Sequence, residues 1–137
     1  MKKEKIKVLF ACVENSFRSQ IAEGVAKKFF SDYIEAYSAG SKPTDAINPK
    51  AKIVLEEIGF DTTSLKPKGF FDLPDIEFDY LVTMGCKEVC PIFPSKKSLN
   101  WELDDIKNHP IEKIRDMREL IKSNIQKIVD EEFKDVT

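Results

Sequence analysis

The apolar run from Ile6 to Ala11 is followed at once by Cys12, a short polar loop, Arg18 and an amphipathic pattern, and this order constrains the fold more than any other stretch. Ile6, Val8, Leu9 and Phe10 lead to Ala11 as a compact run that suits a central strand buried on both faces. Ile21, Ala22, Val25, Ala26, Phe29 and Phe30 then recur at helical spacing, with Ser19 standing where the helix can start. Strand, loop and helix make the first half of a βαβ unit, with Cys12 at the carboxyl end of the strand. A cysteine six positions ahead of an arginine in such a loop has the layout of an anion cradle with a nucleophile at its base. Backbone N–H groups converge on the oxyanion, the helix N-terminus adds partial positive charge, and Arg18 forks two donors onto it. The same field favours the thiolate of Cys12, its reactive form. Asn15 tolerates the left-handed backbone that a tight anion loop needs.

The remaining segments predict how this unit is completed. Tyr33 to Ser38 reads as a second short strand, closed by Ala39-Gly40. Asn48-Pro49 matches an N-cap followed by proline at the first helical position, and Ala51, Ile53, Val54, Leu55 and Ile58 supply a buried face before Gly59 stops the helix. Turn chemistry dominates from Asp61 to Pro74. Phe78, Tyr80, Leu81, Val82 and Met84 form the third strand, which runs through Gly85 to Cys86, and Leu99 to Leu103 a short fourth. Pro91 and Pro94 bar a long helix between them. Ile111, Ile114, Met117, Ile121, Ile125, Ile128 and Val129 recur at three and four residues and predict one long amphipathic helix covering the sheet. The alternation predicts an α/β fold: a three-layer, four-stranded parallel sheet with helices on both faces, one domain over residues 1–137, its site outside the carboxyl ends of the strands. If strands one and three are neighbours, about 4.8 Å apart, Cys12 and Cys86 fall within the Cα range of about 4.4–6.8 Å that a disulfide permits.

Composition limits the partners. A formal net charge of -2 argues against nucleic acid or an anionic membrane, so an oxyanion must be held by local geometry and not by bulk charge. The basic start and first apolar run do not make a signal peptide, because Lys7 interrupts the run and no small-residue cleavage site follows. No stretch reaches the length of a membrane span. A cytoplasmic monomer is expected, in which three cysteines are reactive, metal-binding or buried and not locked in structural disulfides. A zinc site is disfavoured and no metal is expected, since Cys86, Cys90 and the single His109 fall short of four ligands. His109, next to Pro110, reads as an exposed loop residue.

The chain resembles the low-molecular-weight protein tyrosine phosphatase fold, and within it the thioredoxin-coupled arsenate reductases. The resemblance is carried by Cys12-Val-Glu-Asn-Ser-Phe-Arg-Ser-Gln with Ala22-Glu23-Gly24, by Tyr37-Ser-Ala-Gly40, Asn48-Pro49-Lys50-Ala51, Val82-Thr-Met-Gly-Cys86, Cys90-Pro91-Ile-Phe-Pro94 and Trp101-Glu-Leu-Asp-Asp105. The loop identifies the fold, and the two further cysteines point to the reductase branch. The resemblance implies that Glu14, Asn15, Ser16, Phe17, Arg18 and Ser19 surround arsenate or phosphate and that Cys12 attacks it. Asp105 would act as general acid, with Asp104 its neighbour, although Ile106 stands where the family has proline. Cys86 would then attack the Cys12 sulfur, and Cys90 would move the disulfide outward to Cys86–Cys90 for thioredoxin to reduce. Four residues apart on a helical turn, Cys86 and Cys90 would need local unwinding to bridge, which Pro91 and Gly85 favour; the plainer alternative leaves Cys90 packed in the core.

Two departures from the family pattern bear on the site. Glu14 brings a carboxylate into the loop where many relatives have glycine, so it must point away from substrate and thiolate. Some of these reductases hold potassium with groups matching Asn15, Glu23 and Ser38. The fourth, acidic position aligns with Lys68, whose ammonium would replace the ion, so no potassium or other cofactor is expected. Rival readings are a phosphatase acting on phosphotyrosine or small phosphate esters, a reductase using a low-molecular-weight thiol, and a non-enzymatic thiol sensor. No aromatic residue directly follows Asp104-Asp105, which weighs against a phosphotyrosine enzyme.

Overall fold

The computed structural model describes residues 4–12, 15–84, 95–104 and 106–134. The elements in chain order are β1 (Ile6–Cys12), α1 (Arg18–Phe29), β2 (Ile34–Gly40), α2 (Pro49–Glu56), β3 (Phe78–Met84), β4 (Ser95–Trp101) and α3 (Ile111–Phe133), with two 3₁₀ turns, Thr62–Ser64 and Phe70–Asp72, between α2 and β3. The four strands form one parallel sheet in the order β2-β1-β3-β4. β1 is therefore interior, as its apolar run requires, and it has β3 as a direct neighbour with Ala11 opposite Thr83.

Alternation along β1 sorts the core into two layers. Ile6, Val8, Phe10 and Cys12 face one side, where they join buried residues of α1, α2 and α3 in a single cluster. Leu9 and Ala11 face the other, packed with Ala39, Phe78 and Leu81 and covered by Tyr37, Phe70, Leu73 and Ile76. The second face is thus clothed by the crossover from β2 to β3, whose 3₁₀ turn stands where a longer helix would serve. The crossover first packs α2 against α1 and α3, and its later part, from Phe70 to Ile76, lies on the second face.

The long helix is as its periodicity predicts. Ile114, Met117, Ile121, Ile125, Ile128 and Val129 are buried, each contributing about 1.5–3 kcal/mol of burial before the entropy of ordering it is subtracted. α1 and α2 touch where Gly24 meets Leu55. A methyl group on Gly24 would lie 2.6 and 2.7 Å from the two Leu55 methyls, and Leu55 is itself fully buried. Asn48 caps α2 by accepting a 2.9 Å hydrogen bond from the Lys50 N–H, with Pro49 as first helical residue. Gly59, at φ 83°, provides the left-handed turn that ends this segment.

Candidate active site

β1 delivers Cys12 to the carboxyl edge of the sheet, where it is buried at 5% exposure. The loop that follows turns sharply through Asn15, whose φ of 52° lies in the left-handed region. Ser16 accepts a 2.8 Å hydrogen bond at its carbonyl from the Asn48 N–H, tying the loop to the cap of α2. α1 begins at Arg18 behind a buried Phe17 that gives it no side-chain cap. The first N–H groups of the helix are thus left without a side-chain acceptor from that position, the condition for an oxyanion to take the role.

The Asn15 side chain is oriented by its neighbours. Asn15 Oδ1 accepts from the Lys68 main-chain N–H at 2.7 Å, and a main-chain N–H can only donate, so the amide orientation is fixed. Asn15 Nδ2 consequently donates to Ser19 Oγ at 2.7 Å. Ser19 Oγ lies 2.8 Å from Cys12 Sγ, and towards an ionised sulfur only the hydroxyl can donate across that contact. A hydroxyl donating to sulfur stabilises thiolate over thiol. Ser19 begins no helix; its hydroxyl serves the sulfur, and α1 starts one residue earlier.

Arg18 is half-buried and donates from Nη1 to the Leu103 carbonyl at 2.8 Å. Leu103 is buried and precedes Asp104, so the arginine of the loop is tethered to the segment that carries the two aspartates. Among the described residues one of its five N–H groups is used in this way, and the rest of the fork can meet an oxyanion. Asp104 is exposed.

Glu23, 2% exposed, lies on the next turn of α1. Its Oε1 accepts from Ser38 Oγ at 2.5 Å and lies 3.2 Å from Lys68 Nζ, and its Oε2 is 2.8 Å from Lys27 Nζ. Lys68 Nζ also donates to Ser38 Oγ at 3.5 Å and to the Lys66 carbonyl at 3.3 Å. Burial pushes the Glu23 carboxyl up, but the Lys68 charge with the hydrogen bonds from Lys27 and Ser38 outweighs it, leaving the pKa below its ordinary value. Asn15, Glu23, Ser38 and Lys68 are therefore one connected group. Two ammonium groups already answer the one carboxylate, so a further cation there would meet like charge.

Of the other residues singled out from the sequence, Glu14, Cys86, Cys90 and Asp105 lie outside the described residues. Met84, which ends β3, precedes Cys86 by two positions. Among the described residues no group of three or more His, Cys, Asp or Glu side chains could hold a metal ion. Sequence reasoning missed the Leu103 carbonyl as a partner of Arg18, and it missed Gln20, which is fully buried against Asn15. Main-chain acceptors leave no mark in a sequence.

The family model for low molecular weight phosphotyrosine protein phosphatase matches residues 7–136. The chain is 34% identical over 131 residues to arsenate reductase 2 of Staphylococcus haemolyticus, covering 90% of this chain and 95% of that one. A solved arsenate reductase in its phosphate-binding state superposes with a TM-score of 0.81 at 27% identity, over 93% of this chain and 98% of the other. The thioredoxin-dependent arsenate reductase of Corynebacterium glutamicum superposes with a TM-score of 0.66 at 37% identity, over 90% of this chain and 63% of that longer one. With the cradle, the parallel sheet and these likenesses in agreement, the chain belongs to the low molecular weight phosphotyrosine protein phosphatase family, and these relatives within it bear the name arsenate reductase.

Proposed function

We propose that this protein reduces arsenate to arsenite in the cytoplasm, with thioredoxin as electron donor. The Cys12 thiolate attacks arsenic held by the loop and by Arg18, and Asp105 gives its proton to the departing oxygen, which leaves as water. Cys86 then attacks the Cys12 sulfur. The sulfur–arsenic bond breaks with its electron pair on arsenic, which leaves as arsenite, and a Cys12–Cys86 disulfide remains. Cys90 attacks Cys86 and frees Cys12, and the dithiol of thioredoxin reduces the Cys86–Cys90 disulfide. Two electrons enter from thioredoxin and two reach arsenic.

The observation that carries this reading is the pairing of β1 with β3. β3 ends beside the strand that bears Cys12, and the next residues in the chain are Gly85 and Cys86. A phosphatase needs only Cys12 and a water; a second cysteine following the neighbouring strand gives two electrons a place to come from. The relatives named arsenate reductase, one of them described as thioredoxin-dependent, agree with it. The Lys68 ammonium beside Glu23 supports the companion reading that no potassium ion is required.

Arsenate-dependent NADPH oxidation with thioredoxin and its reductase tests the relay. Cys12→Ser, Cys86→Ser and Cys90→Ser each abolish multiple turnovers, while Cys90→Ser still releases about one arsenite per chain. Normal turnover by Cys90→Ser sinks the relay. Turnover with glutathione in place of thioredoxin shifts the donor to a small thiol, and hydrolysis of p-nitrophenyl phosphate without arsenate turnover makes the protein a phosphatase.

A further inference from the structure

Gln20 sits in the first turn of α1 with no exposed surface. Its Nε2 lies 3.0 Å from the Asn15 carbonyl, 3.0 Å from Asn15 Oδ1 and 2.9 Å from the Lys66 carbonyl. All three are acceptors: two are main-chain carbonyls, and the third is the amide oxygen whose identity the Lys68 N–H fixes. The glutamine orientation is therefore unambiguous. Its Oε1, by contrast, is buried without a donor among the described residues.

A buried glutamine whose hydrogen bonds among the described residues are all made at one end, its oxygen unpaired there, is a poor choice for packing. A methionine would fill the same volume with no orphaned acceptor. What Gln20 does hold is Asn15, at both the peptide carbonyl and the side-chain amide, and it anchors that grip to Lys66 on the facing segment. Asn15 is the one non-glycine residue at positive φ among those described. Its left-handed backbone turns the loop, and its side chain directs Ser19 toward Cys12.

We propose that Gln20 is a positioning residue for the cradle: through Asn15 it holds the loop in the conformation that binds an oxyanion and keeps Ser19 against the Cys12 sulfur. Without its two hydrogens the Asn15 peptide relaxes and Asn15 Nδ2 swings away from Ser19. The proposal rests on the reading of the loop as an oxyanion site.

The test uses the full chain carrying Cys86→Ser and Cys90→Ser, so that Cys12 is its only thiol. Iodoacetamide alkylation against pH reads the thiol midpoint, and protection by inorganic phosphate reads the dissociation constant. Gln20→Met is expected to unfold within a few degrees of its parent, to weaken phosphate binding about tenfold and to raise the alkylation midpoint by about half to one pH unit. A folded Gln20→Met with both values unchanged overturns the proposal. If that variant does not fold, Gln20→Glu decides, since it has the same shape but at neutral pH turns a carboxylate on three acceptors. A phosphate affinity that falls behind the parent's as pH rises from 5.5 to 8 supports the role, and one that matches the parent throughout overturns it. Should phosphate give the parent no protection, the oxyanion reading itself fails, while the alkylation midpoint still reports on Gln20.

Discussion

Lys68 Nζ stands 3.2 Å from Glu23 Oε1 and 3.5 Å from Ser38 Oγ, so an ammonium from the β2–β3 crossover neutralises a carboxylate buried beneath the anion loop. Removing it leaves Glu23 with the Lys27 ammonium and the Ser38 hydroxyl among the described residues, and Lys68→Met is expected to cost about 1–3 kcal/mol in chemical denaturation at neutral pH. The pH dependence has a definite sign. Glu23 is depressed below its ordinary 4.5 in the folded state, so its contribution is present above that value and is lost as pH falls through the folded pKa. Lys68→Met raises the folded pKa and flattens this acid limb. The wild type is expected to show the same melting temperature in potassium and choline chloride at equal ionic strength, whereas Lys68→Met gains stability in potassium. A potassium requirement in the wild type would end the reading of Lys68 as the ion's replacement.

Ser19 contributes one hydroxyl to the Cys12 sulfur. A hydrogen bond to a charged group is worth about 1.5–3 kcal/mol, so Ser19→Ala is expected to slow alkylation of Cys12 by about tenfold to a hundredfold. Alkylation across pH 5 to 9 measures it. Cysteine reactivity indistinguishable from wild type would mean that the helix terminus and loop amides set the thiolate without this hydroxyl.

Arg18 bridges the loop and the Leu103 carbonyl with a planar fork. Arg18→Lys keeps the charge and loses the geometry, and phosphate binding by calorimetry is expected to weaken about tenfold to a hundredfold. Equal affinity would show that charge alone holds the anion.

Gly24 tests packing away from the chemistry. A methyl group there would press on both Leu55 methyls at under 3 Å in a fully buried contact. Gly24→Ala is expected to lose about 1–3 kcal/mol in urea unfolding despite the better helix propensity of alanine. A stabilised variant would mean that α1 and α2 separate without cost.

Residues whose burial is periodic were legible in the sequence; residues whose role is set by the far side of a contact were not. β3 and α3 run where their apolar residues place them, and Asn48-Pro49 opens α2. β4 spans Ser95–Trp101 and not Leu99 to Leu103, because it is an edge strand and Lys96, Lys97, Ser98 and Asn100 are tolerated where half its surface meets water. β2 extends through Gly40, since Ala39 and Gly40, read as a turn, pair with Ala11 and Cys12. The spacing of Cys12 and Arg18 singles out the loop in the sequence, and the structure adds the contacts of Asn15 and Ser19 with each other and with Cys12. Gln20 and the Leu103 carbonyl were invisible because each matters only through a partner distant in the chain or made of backbone.

The parallel bridge between Gly40 and Gly69 closes the outer edge of β2 at its last rung, the rung level with Cys12. An incoming peptide cannot add itself there as a fifth strand, because the chain's own crossover occupies the position and Gly40 already donates to the Lys68 carbonyl. A strand offered from outside therefore finds the last rung of β2 already taken.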